Sequence, residues 1–168
     1  MNARHVILAL LVAAPLAVVL PTSAAEHCVP DAFLTIGGPP EGTGATRPPI
    51  ALTEAELLAL PTATITTSTD WTPVSRFDGP LLSDVLKLAP VQGKTLHIFA
   101  LDDYSISIPW SDMAQYGVIL AHSQDGQRMS RRRFGPLFVI YPRDKFASLQ
   151  TPITGAKFIW QVCRIDVE

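Results

Sequence analysis

Three adjacent arginines, Arg131, Arg132 and Arg133, form the densest group of chemistry-bearing side chains in this 168-residue chain. Adjacent guanidinium groups repel one another, so they face solvent or an anion. Without the triplet, 10 of the 13 Lys and Arg remain against 15 Asp and Glu, so the cluster stands out from an acidic background. Arginine suits planar partners that accept two parallel hydrogen bonds, and its flat face stacks on aromatic rings. A fused heterocycle with amide-like edges meets both requirements. A solvated hairpin loop is the competing reading, because Asp125-Gly126 just upstream is a hairpin signal.

Other groups carry less. Asp102 and Asp103 are neighbouring carboxylates that suit acid–base work, or cap the backbone of a tight turn. Trp71 follows a polar run and reads equally as a stacking platform or as core. The histidines beyond the N-terminal segment, His27, His97 and His122, are scattered, and His97 and His122 sit in strand patterns, which favours structural roles. No cluster of Cys, His or carboxylates has the spacing of a zinc site. A Gly-rich phosphate loop and a Gly-x-Ser-x-Gly elbow are both missing. Cys28 and Cys163 lie near opposite ends of the chain and read as a disulfide in an oxidising compartment, or as two buried thiols.

The elements that must position these residues begin with a leader. Arg4 gives a positive start, residues 6–20 are apolar, and Ser23 and Ala25 are small residues before a cleavage point. This is the pattern of a secretory signal peptide over residues 1–25, so the protein is expected in the periplasm. The apolar run is shorter than the roughly 20 residues that span a bilayer. Removing the leader takes the formal charge from −2 to −3, since Arg4 is its only charged side chain. A mildly acidic chain gives no reason to expect nucleic acid.

Residues 26–49, rich in Gly, Pro and Thr over their second half, read as an irregular N-terminal arm, and residues 50–168 as the folded domain. Thr53-Glu54-Ala55-Glu56 is a capping box that opens a short helix, and Pro61 stops it. The β-branched run 62–69 predicts a strand. Phe77-Asp78-Gly79-Pro80 reads as a turn into a helix over 81–88. Strands are predicted over 95–101, 104–108, 118–122, 137–141 and 158–167. The fold class is therefore α+β, mostly strands with short helices. The segment 142–156 is long enough for a binding role.

The order of these motifs resembles the oxidoreductase molybdopterin-binding domain of the sulfite oxidase family. Phe77-x-Gly79-Pro80-Leu81-Leu82-x-Asp84-Val85-Leu86 is similar to its helix entry, and Ala100-Leu101-Asp102-Asp103-Tyr104-Ser105 to the turn that follows. Leu120-Ala121, Asp125-Gly126 and Met129 resemble its hairpin. Gly135-Pro136-Leu137, Tyr141-Pro142 and Trp160-Gln161-Val162 resemble its closing strands. The resemblance implies a mixed, barrel-like β core with short helices around a pterin-cofactor cleft. Catalytic members hold molybdenum through the pterin dithiolene and one cysteine. Counted back from Gly79, that position falls at Ser68, or at Thr67 with a one-residue slip, and neither is a thiol. The chain is most similar to a short exported branch that binds pterins, some of whose members partner membrane proteins that make or degrade cyclic di-GMP.

The expected function is thus a periplasmic pterin-binding sensor or adaptor, without catalytic residues and without molybdenum. A periplasmic molybdopterin-dependent oxidoreductase is the alternative. The resemblance implies Ser68, Thr69 and Trp71 along one wall, Asp103 and Tyr104 in the turn beside it, and Arg132 as the main polar contact. Tyr141 and Trp160 complete the candidates.

Overall fold

A computed structural model describes residues 27–37 and 48–168. The signal-peptide segment 1–25 lies outside the described residues, as does part of the arm. In chain order the elements are β1 (Leu34–Gly37), β2 (Ile50–Leu52), α1 (Glu54–Leu58), β3 (Thr62–Thr67), β4 (Ser75–Pro80), α2 (Leu82–Leu86), β5 (Thr95–Ala100) and β6 (Ser105–Pro109). They continue with α3 (Ser111–Tyr116), β7 (Ile119–Ala121), β8 (Ser123–Gln124), β9 (Gln127–Arg128), β10 (Phe138–Ile140), two 3-10 turns (Arg143–Lys145 and Ala147–Leu149), α4 (Pro152–Gly155) and β11 (Val162–Val167).

The strands form three sheets: β2-β1-β11-β5-β6, β3-β4-β8-β9, and the pair β10-β7. The β1–β11 pairing is parallel and the other named pairings are antiparallel, so the architecture is mixed, as expected for α+β. Alternation explains β5: Leu96, Ile98 and Ala100 are buried, with Thr95, His97 and Phe99 half-buried between them. Phe77 of β4 meets Phe138 of β10 edge to face at 5.9 Å, which joins two sheets through one fully buried aromatic pair.

Local signals set several elements as read. Thr53 Oγ1 accepts from the Glu56 amide at 3.2 Å, and Glu56 Oε2 accepts from the Thr53 amide at 2.8 Å, so the capping box is formed. Those same bonds hold the Glu56 carboxyl below its usual value, the backbone bond from Thr53 contributing most. Asp125 and Gly126 both have positive φ, 50° and 76°, the turn that joins β8 to β9.

Three readings need correction. Part of the arm 26–49 is not irregular: Leu34–Gly37 is a buried strand between β2 and β11. Residues 75–80 form a strand where Phe77-Asp78-Gly79-Pro80 reads as a turn. Gly79 sits there because β4 crosses close to β7, and a Cβ would run into the Leu120 carbonyl and the Ala121 Cα. Both collision partners are strand backbone and cannot step aside. Gly79→Ala is therefore expected to destabilise the protein by about 1–3 kcal/mol in urea denaturation. The last predicted strand, 158–167, is cut short. Gln161 has φ 55°, which breaks the ladder, so only Val162–Val167 is strand and Phe158, Ile159 and Trp160 swing out as a wall.

Candidate functional site

The turn after β3 is built by one hydroxyl. Thr69 Oγ1 accepts from the amides of Trp71 (3.1 Å) and Thr72 (2.9 Å), while the Thr69 amide donates to the Thr72 carbonyl (3.1 Å). Folding the chain back on itself this way leaves Asp70 and Trp71 projecting. The turn is then clamped from outside by the 3-10 turn Arg143–Lys145. Ser68 donates through its amide and its hydroxyl to the two Asp144 carboxylate oxygens, each at 2.7 Å. The Asp144 amide donates to Thr67 Oγ1 at 3.1 Å, and Arg143 Nη1 to Asp70 Oδ1 at 2.5 Å. The long segment 142–156 thus serves as a scaffold for the turn. Its last glycine, Gly155, lies so close to Asp70 that a Cβ would collide with Asp70 Oδ2.

Opposite the turn, Trp160 meets Trp71 edge to face at 4.3 Å. The Tyr104 hydroxyl donates to the Ala156 carbonyl at 3.3 Å and ties the β5–β6 turn to the same wall. Between these walls is a cleft of about 260 Å³, lined by Asp70, Trp71, Asp102, Tyr104, Phe158 and Trp160 among others. Trp71 and Tyr104 are 44% and 46% exposed, so their rings are open to a ligand and not packed away. Aromatic surface with a few acceptors can hold a flat ring by stacking and by hydrogen bonds at its edge.

The structure brings together Trp71, Tyr104 and Trp160 of the expected residues. Ser68 and Thr69 stand behind that surface: the Ser68 hydroxyl is engaged by Asp144, and Thr69 is buried within the turn. Asp103 occupies the left-handed region, φ 64°, and its neighbour Asp102 lines the cleft while accepting from the Tyr104 amide at 3.2 Å. The carboxylate pair therefore shapes a turn. Arg132 is exposed, like Arg131 and Arg133, and is not among the cleft-lining residues. Its turn abuts the wall from behind: Gln161 Nε2 donates to the Arg131 carbonyl at 2.5 Å, and Phe134 packs on Trp160 at 5.6 Å.

Tyr141 is corrected outright. It is fully buried, and its hydroxyl donates to Asp112 Oδ2 at 2.9 Å, an oxygen that also takes a bond from Lys157 Nζ at 2.7 Å. Burial, then the Asp112 charge, push the Tyr141 phenol far above its usual value, so it is a core donor and not a ligand contact. His122 and His97 are structural as read. Burial, then Arg128, lower the His122 pKa, and its Nδ1 lies 2.8 Å from Ser123 Oγ. His97 bridges Ser107 and Glu168. Asp70, Gly155, Ala156, Phe158 and Ile159 are among the lining residues that sequence reasoning passed over. Adjacency to Trp71 was the signal for Asp70, whereas Phe158 looked like ordinary strand core.

Cys28 and Cys163 are disulfide-bonded, with Cα atoms 5.5 Å apart. A family model described as the oxidoreductase molybdopterin binding domain matches residues 41–148. No curated protein sequence matches the chain. Among solved structures, the sulfane dehydrogenase SoxCD from Paracoccus pantotrophus is similar, with TM-score 0.59 and 21% identity. The likeness covers 82% of this chain and 38% of that one, so this chain corresponds to well under half of that protein chain.

Proposed function

Because this chain belongs to the oxidoreductase molybdopterin-binding domain family and has its sulfite oxidase-type fold, we propose that it is a periplasmic pterin-binding protein that works by recognition and not by redox catalysis. The observation that carries this reading is the open aromatic cleft formed by Trp71, Tyr104 and Trp160.

The pterin ring and the metal fare differently against the residues present. A flat bicycle fits an aromatic cleft of this size. A dithiolene-held metal asks for a soft thiolate from the protein. The candidate position is Ser68, whose hydroxyl already donates to Asp144, or Thr67, whose hydroxyl accepts from the Asp144 amide, and both cysteines are bonded to each other. A hydroxyl held in this way is a poor substitute for a thiolate, so these residues do not fit the metal and favour recognition over a redox step.

In this reading the bound pterin is a signal. The leader pattern in residues 1–25 and the Cys28–Cys163 bond support an oxidising, exported setting. The resemblance to the exported branch supports a membrane-bound cyclic di-GMP cyclase or phosphodiesterase as the partner, met through its periplasmic domain. The rim of the cleft, where Trp71 and Tyr104 are exposed, is the surface that a ligand would alter.

The test is protein purified from the periplasm of its own host, with metal content and released small molecules measured by mass spectrometry. A metal-free pterin is the expected result. Trp71→Ala is expected to weaken pterin binding about tenfold or more, from the loss of one stacking face. Molybdenum at one per chain would instead establish the oxidoreductase alternative. Failure to bind any pterin would leave the domain as an interaction scaffold.

A further inference from the structure

The charge of the cleft narrows the ligand beyond its ring. Of the residues that line it, only Asp70 and Asp102 are charged, and both are acidic; no Lys or Arg is among them. Arg143 stands beside Asp70 but outside the lining. A phosphate would bring nearly two further negative charges to this wall. The volume points the same way. About 260 Å³ is below the roughly 300–1,000 Å³ of pockets that take drug-sized ligands.

Asp70 is held as an acceptor. Arg143 donates to its Oδ1 and fixes the carboxylate's direction. Among the described residues Oδ2 receives no hydrogen bond, and it lies over Gly155 at a place where any side chain would displace it. A carboxylate has two oxygens and about four acceptor sites, so one guanidinium contact leaves capacity for a second, paired donor. The complement is a ring edge that presents an amide N–H and an amino group side by side.

We propose that Asp70 reads the amino-amide edge of an unphosphorylated 2-amino-4-oxo heterocycle stacked in this cleft, so that the ligand is a free pterin and not a phosphorylated or metal-bearing one. The proposal rests on the pterin reading above and assigns the main polar contact to Asp70 in place of Arg132. Gly155 is then a positioning residue, required because only glycine lets the carboxylate occupy this place.

The probes are pterin, lumazine (the same ring with a 2-oxo group in place of the 2-amino group), a phosphorylated pterin and guanosine. Binding is followed by tryptophan fluorescence and calorimetry on the full chain. Wild-type protein is expected to prefer pterin over lumazine about tenfold or more, the loss of one charge-assisted hydrogen bond. Asp70→Asn should remove most of that preference. Gly155→Ala keeps every charge and should lower pterin affinity in the same direction, and thermal melts confirm that both variants fold. Equal binding of pterin and lumazine would overturn the role of Asp70 while leaving pterin binding intact. So would an Arg132→Ala variant that loses pterin while Asp70→Asn retains it. Tighter binding of the phosphorylated pterin would overturn the restriction to unphosphorylated rings. Guanosine bound in place of pterin, with the same Asp70 dependence, would keep the edge recognition and refute the pterin reading.

Discussion

Replacing Cys28 and Cys163 together by serine is expected to remove up to about 5 kcal/mol of stability, the chain-entropy value for a loop of this length. The bond spans 135 residues and closes nearly the whole folded chain into one loop. In the folded state it is one of several ties on the same segment. His27 stacks on Phe99 at 4.3 Å, and β1 lies in register between β2 and β11 with Leu34 and Ile36 buried. The double variant should therefore still fold, with its secondary structure unchanged by circular dichroism. Its loss shows because the unfolded chain regains the freedom that the cross-link denied it. For a domain of this size the melting temperature should fall on the order of 15 °C. Scanning calorimetry of the wild type with and without a reductant should reproduce the effect of the double variant. A melting temperature unchanged by either treatment would mean that the ladder of β1, and not the bond, secures the N-terminal segment.

The second large effect is expected at the ion pair of the buried Asp112 and the partly buried Lys157. Asp112 is 5% exposed and accepts from both Lys157 Nζ and the Tyr141 hydroxyl. Lys157→Met leaves that carboxylate in the core with a single neutral donor, at a cost of about 3–5 kcal/mol. The double variant Lys157→Met/Asp112→Leu removes both charges and should recover most of the loss, because it leaves no unpaired buried charge. Urea denaturation of the two single variants and the double variant measures the coupling directly. A double variant as unstable as Lys157→Met alone would show that packing, not charge, explains the loss. The pair also bears on the site: Lys157 lies between Ala156 and Phe158, both of which line the cleft. Lys157→Met should therefore weaken ligand binding as well as stability.

The site was partly legible because its aromatic residues stand in polar or turn-forming surroundings. Trp71 follows a threonine-rich strand and Tyr104 follows two aspartates, places where a large apolar ring has no local reason to be. Arg132 was expected at the site from the resemblance, yet a run of like charges is pushed toward solvent wherever the turn lies. Tyr141 shows the converse. Nothing next to it in sequence reveals the Asp112 oxygen that satisfies its hydroxyl, and that partner is 29 residues away.

The sequence by itself determined the features whose causes are local. The capping box at Thr53 and Glu56, the hairpin turn at Asp125-Gly126 and the α+β class all follow from residues a few positions apart. The pairing of the two cysteines was also readable, since two thiols have one possible intramolecular partner each. Only the tertiary structure decided that Leu34–Gly37 is an inner strand, because its ladder partner Val162–Val167 is at the far end of the chain. It alone turned Gly79 from a turn signal into a close approach of two strands, and brought Asp70 onto Gly155. Local sequence sets φ and ψ, but burial, close approach and the donors a carboxylate faces are set by residues the chain brings together only when it folds.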